Sequence, residues 1–216
     1  MKQTIGIIGA TGDLGSQLAA RIKKHGFPLI EYGRSLKNGV TFTATLQKSD
    51  VIHICAPVSV LQDLPPTNAV VILHDSVMNT SSEASASYLH NDAAIAHMLM
   101  NEQNTVVVAS DAPHSESVIS HFASIGLNPV AMTIAQHDFM IARSQAPLAL
   151  LCKTLLPYLY EQADKGLLTP SGQLLANTLR SRELAWTDTT IRSILSNPQL
   201  QTLVNDMQQV VTKNHP

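Results

Sequence analysis

The stretch Ile5-Gly6-Ile7-Ile8-Gly9-Ala10-Thr11-Gly12-Asp13-Leu14-Gly15 decides the fold of this chain. Ile5 to Ile8 form an apolar run that is followed at once by three glycines, three residues apart. Beyond them Leu14, Leu18 and Ile22 recur at helical spacing, while Gln17, Arg21 and Lys24 fall elsewhere on the wheel and Gly26 closes the segment. A second apolar run at residues 28–32 then completes a strand, glycine turn, helix, strand unit. That order opens a doubly wound α/β sheet.

Further runs at residues 51–55, 70–73 and 105–109 are Val- and Ile-rich on consecutive positions. Such runs fit strands buried on both faces of a parallel sheet. From residue 132 onward the pattern is helical, with stretches at 134–163, 172–186 and 200–211 broken by Gly166, Pro170 and Pro198, and no strand signal. The expected architecture is a Rossmann-type doubly wound parallel sheet over residues 1–132, followed by a smaller all-helical domain over 133–216. The many leucines of that helical part suggest burial against the first domain and against a second subunit, so a homodimer through the C-terminal helices is expected.

The glycine turn has a specific chemical use. A dinucleotide pyrophosphate needs backbone N–H groups aimed at it from a helix N-terminus, with no side chains in its way. Gly9, Gly12 and Gly15 give that clearance, and Thr11, Asp13 and Leu14 complete the expected cofactor contacts. The spacing is G-x-x-G-x-x-G, less specific than G-x-G-x-x-G, but its place between strand and helix strengthens it. About 20 residues on, where NAD enzymes place an acid on the ribose 2′-hydroxyl, stands Glu31-Tyr32-Gly33-Arg34-Ser35. With Gly33 in the acid's place there is room for a 2′-phosphate, held by Arg34 and Ser35, which favours NADP. The competing register puts Glu31 on the ribose and favours NAD. Ala56, Pro57 and Val58 after one strand, and Asp75, Ser76 and Val77 after the next, should border the nicotinamide end; Pro57 and Asp75 also read as ordinary turn and helix-cap residues.

The remaining composition narrows the partners. With 14 Lys and Arg against 16 Asp and Glu, the formal charge is -2, so no sequence-wide positive field draws in nucleic acid or an anionic membrane. The two cysteines, Cys55 and Cys152, read as buried thiols rather than a disulfide or metal framework. No stretch is long and apolar enough for a bilayer and the N-terminus does not read as a signal peptide, so a cytoplasmic protein without a metal is expected.

Taken in order, Gly9 to Gly15, Ser49-Asp50-Val51 leading to Ala56-Pro57-Val58, His74-Asp75-Ser76-Val77-Met78, Ala96-His97-Met98, Gln136-His137-Asp138 and Ser196-Asn197-Pro198 resemble the prephenate and arogenate dehydrogenase family of tyrosine biosynthesis. The resemblance covers nearly the whole chain through short motifs whose order and spacing carry it. It implies a Rossmann domain with a helical dimerisation domain, and oxidative decarboxylation of a cyclohexadienyl substrate with NAD or NADP. The family's histidine falls on His97, a base for the hydroxyl proton. Its serine falls on Ser76, which would hydrogen-bond that hydroxyl or the nicotinamide amide.

The chain also departs from the family. Met78 stands where a lysine is expected, Met98 where a proline is, and Ala149 near the place of a second histidine. No arginine follows Arg192, leaving Arg143, Arg180, Arg182 and Arg192 as candidate holders of a substrate carboxylate, each also readable as a solvated helix residue. Asp138, Ala142, Gln145 and Ala149 share a helix face, and if that face closes the cleft, Asp138 and Gln145 meet the substrate. Alternatively His137-Asp138 only orders the start of the helix. Two other functions stay open: an NAD(P)-dependent enzyme acting on another small hydroxy acid or imine, and a non-catalytic NADP-binding protein.

Overall fold

The computed structural model describes residues 2–36, 40–90, 92–99 and 101–214. Internal contacts divide the chain into two units, Met1–His137 and Asp138–Pro216.

Among the described residues the first unit holds seven strands: β1 (Ile5–Ile8), β2 (Leu29–Tyr32), β3 (Val51–Ile54), β4 (Val70–His74), β5 (Ala94–Met98), β6 (Thr105–Ala109) and β7 (Asn128–Met132). They form one sheet in the order β2-β1-β3-β4-β5-β6-β7. All neighbours run parallel except β5 and β6, which are antiparallel. The crossovers are helical: α1 (Asp13–Lys24), α2 (Phe42–Lys48), a 3₁₀ turn at Val58–Asp63, α3 (Met78–Tyr88) and α4 (Ser115–Ser124). Ile5, Ile7, Leu18, Ile22, Ile72 and Phe122 pack on one face of the sheet. Ile8, Ile52, Ile54, Leu46, Leu61 and Leu73 pack on the other. Burial on both faces explains why the central strands read as unbroken apolar runs.

The five expected strands are present. Two more, β5 and β7, were not legible as runs. The β5 sequence Ala-Ile-Ala-His-Met has one β-branched residue, and its strand form comes from pairing with β4 and β6. β7 contains Pro129, which cannot donate to a ladder; the strand lies at the sheet edge, paired to β6 alone.

In the helical region the expected single stretch 134–163 is three helices: α5 (Ile134–Ser144), α6 (Ala146–Thr154) and α7 (Leu156–Asp164). Pro147 and Pro157 each sit in the first turn of the following helix, where a missing N–H costs least. Gln145 and Leu155 keep right-handed helical angles at the joints. Pro170 opens a helix rather than breaking one: in α8 (Pro170–Ala185) Thr169 is the N-cap and its hydroxyl accepts from Gly172 N–H at 3.2 Å. A helix not read from the sequence, α9 (Asp188–Leu195), is capped in the same way by Thr187, and α10 (Leu200–Asn214) ends the described chain. Ala146, Ala149, Ile191 and Ile194 form one core of this unit, and Cys152, Leu156 and Leu179 another. Among the described residues no helix is long and apolar enough to cross a membrane.

Candidate active site

In an open α/β sheet the ligand crevice lies outside the carboxyl ends of the strands where the chain direction switches. Here β2 and β3 flank β1, so the switch falls between β1 and β3. The glycine turn leaves β1 at that place. Gly9 takes a φ of 89°, in the left-handed region that favours glycine, and the N–H groups of Gly9 and Ala10 both donate to the Tyr32 carbonyl at 2.9 and 3.0 Å. A Cβ on Gly9 would collide with the Cys55 carbonyl, and one on Gly15 with the Gly9 carbonyl.

Gly12 differs from both. A Cβ there would meet the Gly9 carbonyl at an ordinary 3.5 Å, so the chain's own packing does not require a glycine. An incoming pyrophosphate would require it. Gly12 is also the N-cap of α1 and supplies no side chain to the first N–H groups, which leaves the N–H groups of Asp13, Leu14 and Gly15 without an acceptor inside the helix. Clearance, oriented donors and the positive end of the helix dipole together fit a dinucleotide pyrophosphate.

At the far end of the turn Gly33 is buried against Thr11, where a Cβ would come within 3.0 Å of the hydroxyl oxygen. Glu31 lies inside β2, and its carboxylate pairs with Lys23 of α1 at 2.6 Å. Arg34 and Ser35 follow immediately and are exposed.

The other strand ends supply polar groups at the same edge. Pro57 precedes the 3₁₀ turn as its N-cap, exposed, between half-buried Ala56 and Val58. Asp75 Oδ1 accepts from Val77 N–H at 3.4 Å, a turn-forming role, and Ser76 is half-buried in the turn from β4 to α3. His97 is the fourth of five residues in β5, 9% exposed, and its Nδ1 lies 2.9 Å from His137 Nε2. Met78 is fully buried with Ile95 and Val107, so the position where the family resemblance expects a lysine is apolar core.

A second histidine group was not legible in the sequence. His53 in β3 and His74 at the end of β4 lie on the opposite face of the sheet from His97, and His121 on α4 covers them. His53 Nδ1 is 3.0 Å from His74 Nε2, and His53 Nε2 is 3.0 Å from His121 Nε2. Burial first, then the two neighbouring rings, holds His53 well below the usual histidine range. Burial pushes His74 down to about 4, helped by His121, and burial alone brings His121 to about 4. These are neutral rings exchanging hydrogen bonds inside a core. Among the described residues no group of three or more His, Cys, Asp or Glu is arranged to hold a metal ion.

In the second unit Asp138 is 2% exposed, and its carbonyl accepts from the Asn197 side-chain amide at 2.8 Å. Gln145 is half-buried at the α5–α6 joint, and Ala149 is packed against Ile191 and Ile194 in the unit's own core. Three of the four candidate arginines have structural partners. Arg143 donates to Asp206 Oδ2 at 3.2 and 3.1 Å and lies over the Phe139 ring, Arg192 donates to the Asp188 carbonyl at 3.3 Å, and Arg180 lies over Tyr160.

These features define a dinucleotide-type α/β sheet with a glycine-cleared helix start and, at the same carboxyl edge, a buried histidine. No protein-family model and no curated protein matches the sequence. The fold is that of prephenate and arogenate dehydrogenases. A prephenate dehydrogenase from Aquifex aeolicus, solved with hydroxyphenyl propionate and NAD+, has a TM-score of 0.75 at 14% identity over 99% of this chain and 89% of that one. The arogenate dehydrogenase of Synechocystis gives 0.70 at 15% identity over 97% and 90%. A Corynebacterium glutamicum protein provisionally assigned as a prephenate dehydrogenase gives 0.77 at 16% identity over 98% and 80%.

Proposed function

We propose that this protein is an NADP-dependent oxidoreductase of the prephenate and arogenate dehydrogenase type, a divergent member of that family. The observation that carries this reading is that the glycine turn after β1 and the buried His97 of β5 lie at one edge of one sheet. β1, β3, β4 and β5 are mutually parallel, so their carboxyl ends share that edge.

Gly9 to Gly15 would hold the pyrophosphate, with Thr11, Asp13 and Leu14 around it, and Ala56, Pro57 and Val58 would flank the nicotinamide end. NADP is favoured over NAD because Glu31 is engaged by Lys23 and Gly33 backs onto Thr11, leaving Arg34 and Ser35 for a 2′-phosphate. The cofactor supplies the hydride acceptor. His97 takes the proton of the substrate hydroxyl as hydride leaves the carbon bearing it, and Ser76 hydrogen-bonds the same oxygen. The carboxylate then departs as carbon dioxide, its bonding electrons complete the aromatic ring, and the resulting phenolate oxygen takes the proton back from His97. Substrate contacts from Asp138 and Gln145 rest on the helix face that the sequence spacing gives them.

The test is to follow the absorbance of reduced nicotinamide with prephenate or arogenate and either cofactor. Turnover with NADP, lowered about 10²- to 10⁴-fold in His97→Asn, is the expected outcome. The absence of reduction with every pair would overturn the reading.

The same fold with a different substrate is favoured by one set of observations. Ala149 is core and Arg143, Arg180 and Arg192 have protein partners, so of the expected carboxylate holders one is missing and three of the four candidate arginines are engaged. An NADP-bound pyrroline carboxylate reductase from Plasmodium falciparum shares the fold with a TM-score of 0.52 at 17% identity over 98% of this chain and 93% of that one. Oxidation of NADPH by a cyclic imine acid, with no reaction on prephenate or arogenate, would select this alternative. Tight NADP binding without turnover, unchanged in His97→Asn, would select a non-catalytic NADP-binding protein. The helical unit exposes Tyr158, Leu167, Leu174 and Leu184, each by more than half, which supports a homodimer through that unit.

A further inference from the structure

We propose that His137 is a positioning residue for His97: its Nε2 accepts a hydrogen bond from His97 Nδ1–H and so holds His97 in the tautomer whose Nε2 takes the substrate proton. The proposal rests on the dehydrogenase reading above.

The geometry is that of a committed hydrogen bond. The two ring centroids are 5.1 Å apart and the nitrogens 2.9 Å. Nearly all of the centroid separation is therefore the N···N vector plus one ring radius at each end, and the nitrogens meet head-on along the line joining the rings. Both rings are buried, at 9% exposure for His97 and none for His137, so water does not compete for the bond.

His137 is presented by a rigid helix start. Thr133 Oγ1 accepts from Gln136 N–H at 3.2 Å, and Gln136 Oε1 accepts from Thr133 N–H at 3.0 Å, a reciprocal capping box. Asp111 Oδ1 accepts from Ile134 N–H at 3.0 Å. Thr133, Gln136 and Asp111 thus order the first turn of α5, and the His137 ring is not needed for that task.

The direction of the bond follows from proton bookkeeping. When His97 accepts a proton from a substrate hydroxyl, both of its nitrogens carry hydrogen. Its Nδ1–H then faces His137 Nε2 at 2.9 Å, and that nitrogen must be an acceptor, or two N–H groups would oppose each other. Before the transfer, the nitrogen that receives the proton must be bare. With Nδ1 given to His137, that nitrogen is Nε2. His137 therefore bears its own proton on Nδ1 in both states. A histidine fixed this way keeps one tautomer through the cycle, as ring partners do for other functional histidines.

Two measurements test the assignment. Long-range ¹⁵N–¹H spectra of the wild-type protein, with the His97 signals identified by their loss in His97→Gln, should show His97 protonated on Nδ1 and His137 on Nδ1. His97 protonated on Nε2 would overturn the proposal, and this reading needs no change at position 137. In turnover, His137→Gln keeps an acceptor near the Nε2 position and should stay within about 10-fold of wild type. His137→Phe fills the space without an acceptor and should lose about 10- to 100-fold in kcat with KM little changed. A packing role gives the reverse order, with Phe tolerated better than Gln. Absence of turnover in the wild type overturns the dehydrogenase reading and the role of His137 with it. Reversed tautomers with turnover intact overturn the role of His137 alone.

Discussion

At the scale of single residues, the proposed role of Arg34 in holding a 2′-phosphate can be measured. A hydrogen bond between an arginine and a phosphate contributes about 1.5–3 kcal/mol net. Arg34→Ala should therefore weaken NADP binding about 10- to 100-fold and leave NAD binding unchanged, which isothermal titration would read directly. The buried rings of His53, His74 and His121 carry lowered pKa values, so the unfolded chain binds more protons than the folded one once pH falls below about 6.5. Their stabilising effect is present above that pH and lost as pH falls toward about 4, on the order of 3 kcal/mol for one such ring. Urea unfolding across this range should show a stability slope that becomes shallower in His121→Phe; an unchanged slope would show that the cluster does not titrate this way. At this scale the sequence was informative only in part. The resemblance singled out His97 and Ser76, but the ring that meets His97 stands 40 residues further on, and nothing in the local pattern at His137 marks the pairing. The same holds for His53, which reads as one polar residue inside an apolar run.

Elements were legible where local pattern and tertiary setting agree. β1, the glycine turn and α1 were readable because an apolar run, three glycines and a helical repeat all point to one local structure. β5 and β7 were hidden because their strand form is imposed by neighbours: β5 lies between β4 and β6, and β7 is an edge strand containing a proline. The long helical stretch was correct in type and wrong in continuity, since Pro147 and Pro157 restart the helix instead of ending it. α9 is short, and its start depends on Thr187 Oγ1 accepting from Thr190 N–H at 3.1 Å. Thr187→Ala should cost about 1 kcal/mol in urea unfolding and Thr187→Ser should recover most of it. Equal losses in both variants would assign the effect to packing of the methyl group instead of the cap.

At the scale of the whole molecule the chain divides into two units. Met1–His137 contains the sheet, the glycine turn and the histidine pair, whereas Asp138–Pro216 contains helices with several exposed leucines. If the helical unit forms a homodimer, light scattering should give about twice the 23.3 kDa chain mass, and Leu174→Glu with Leu184→Glu should return the monomer. A monomeric wild type would rule the dimer out. We propose that the turn from Gly9 to Gly15 holds a dinucleotide and that Gly33, Arg34 and Ser35 make it NADP. Isothermal titration of the wild-type protein with NADPH and NADH tests this most directly. The expected result is saturable one-to-one binding of NADPH, at least about 10-fold tighter than NADH. Binding of neither nucleotide, or tighter binding of NADH, would contradict it.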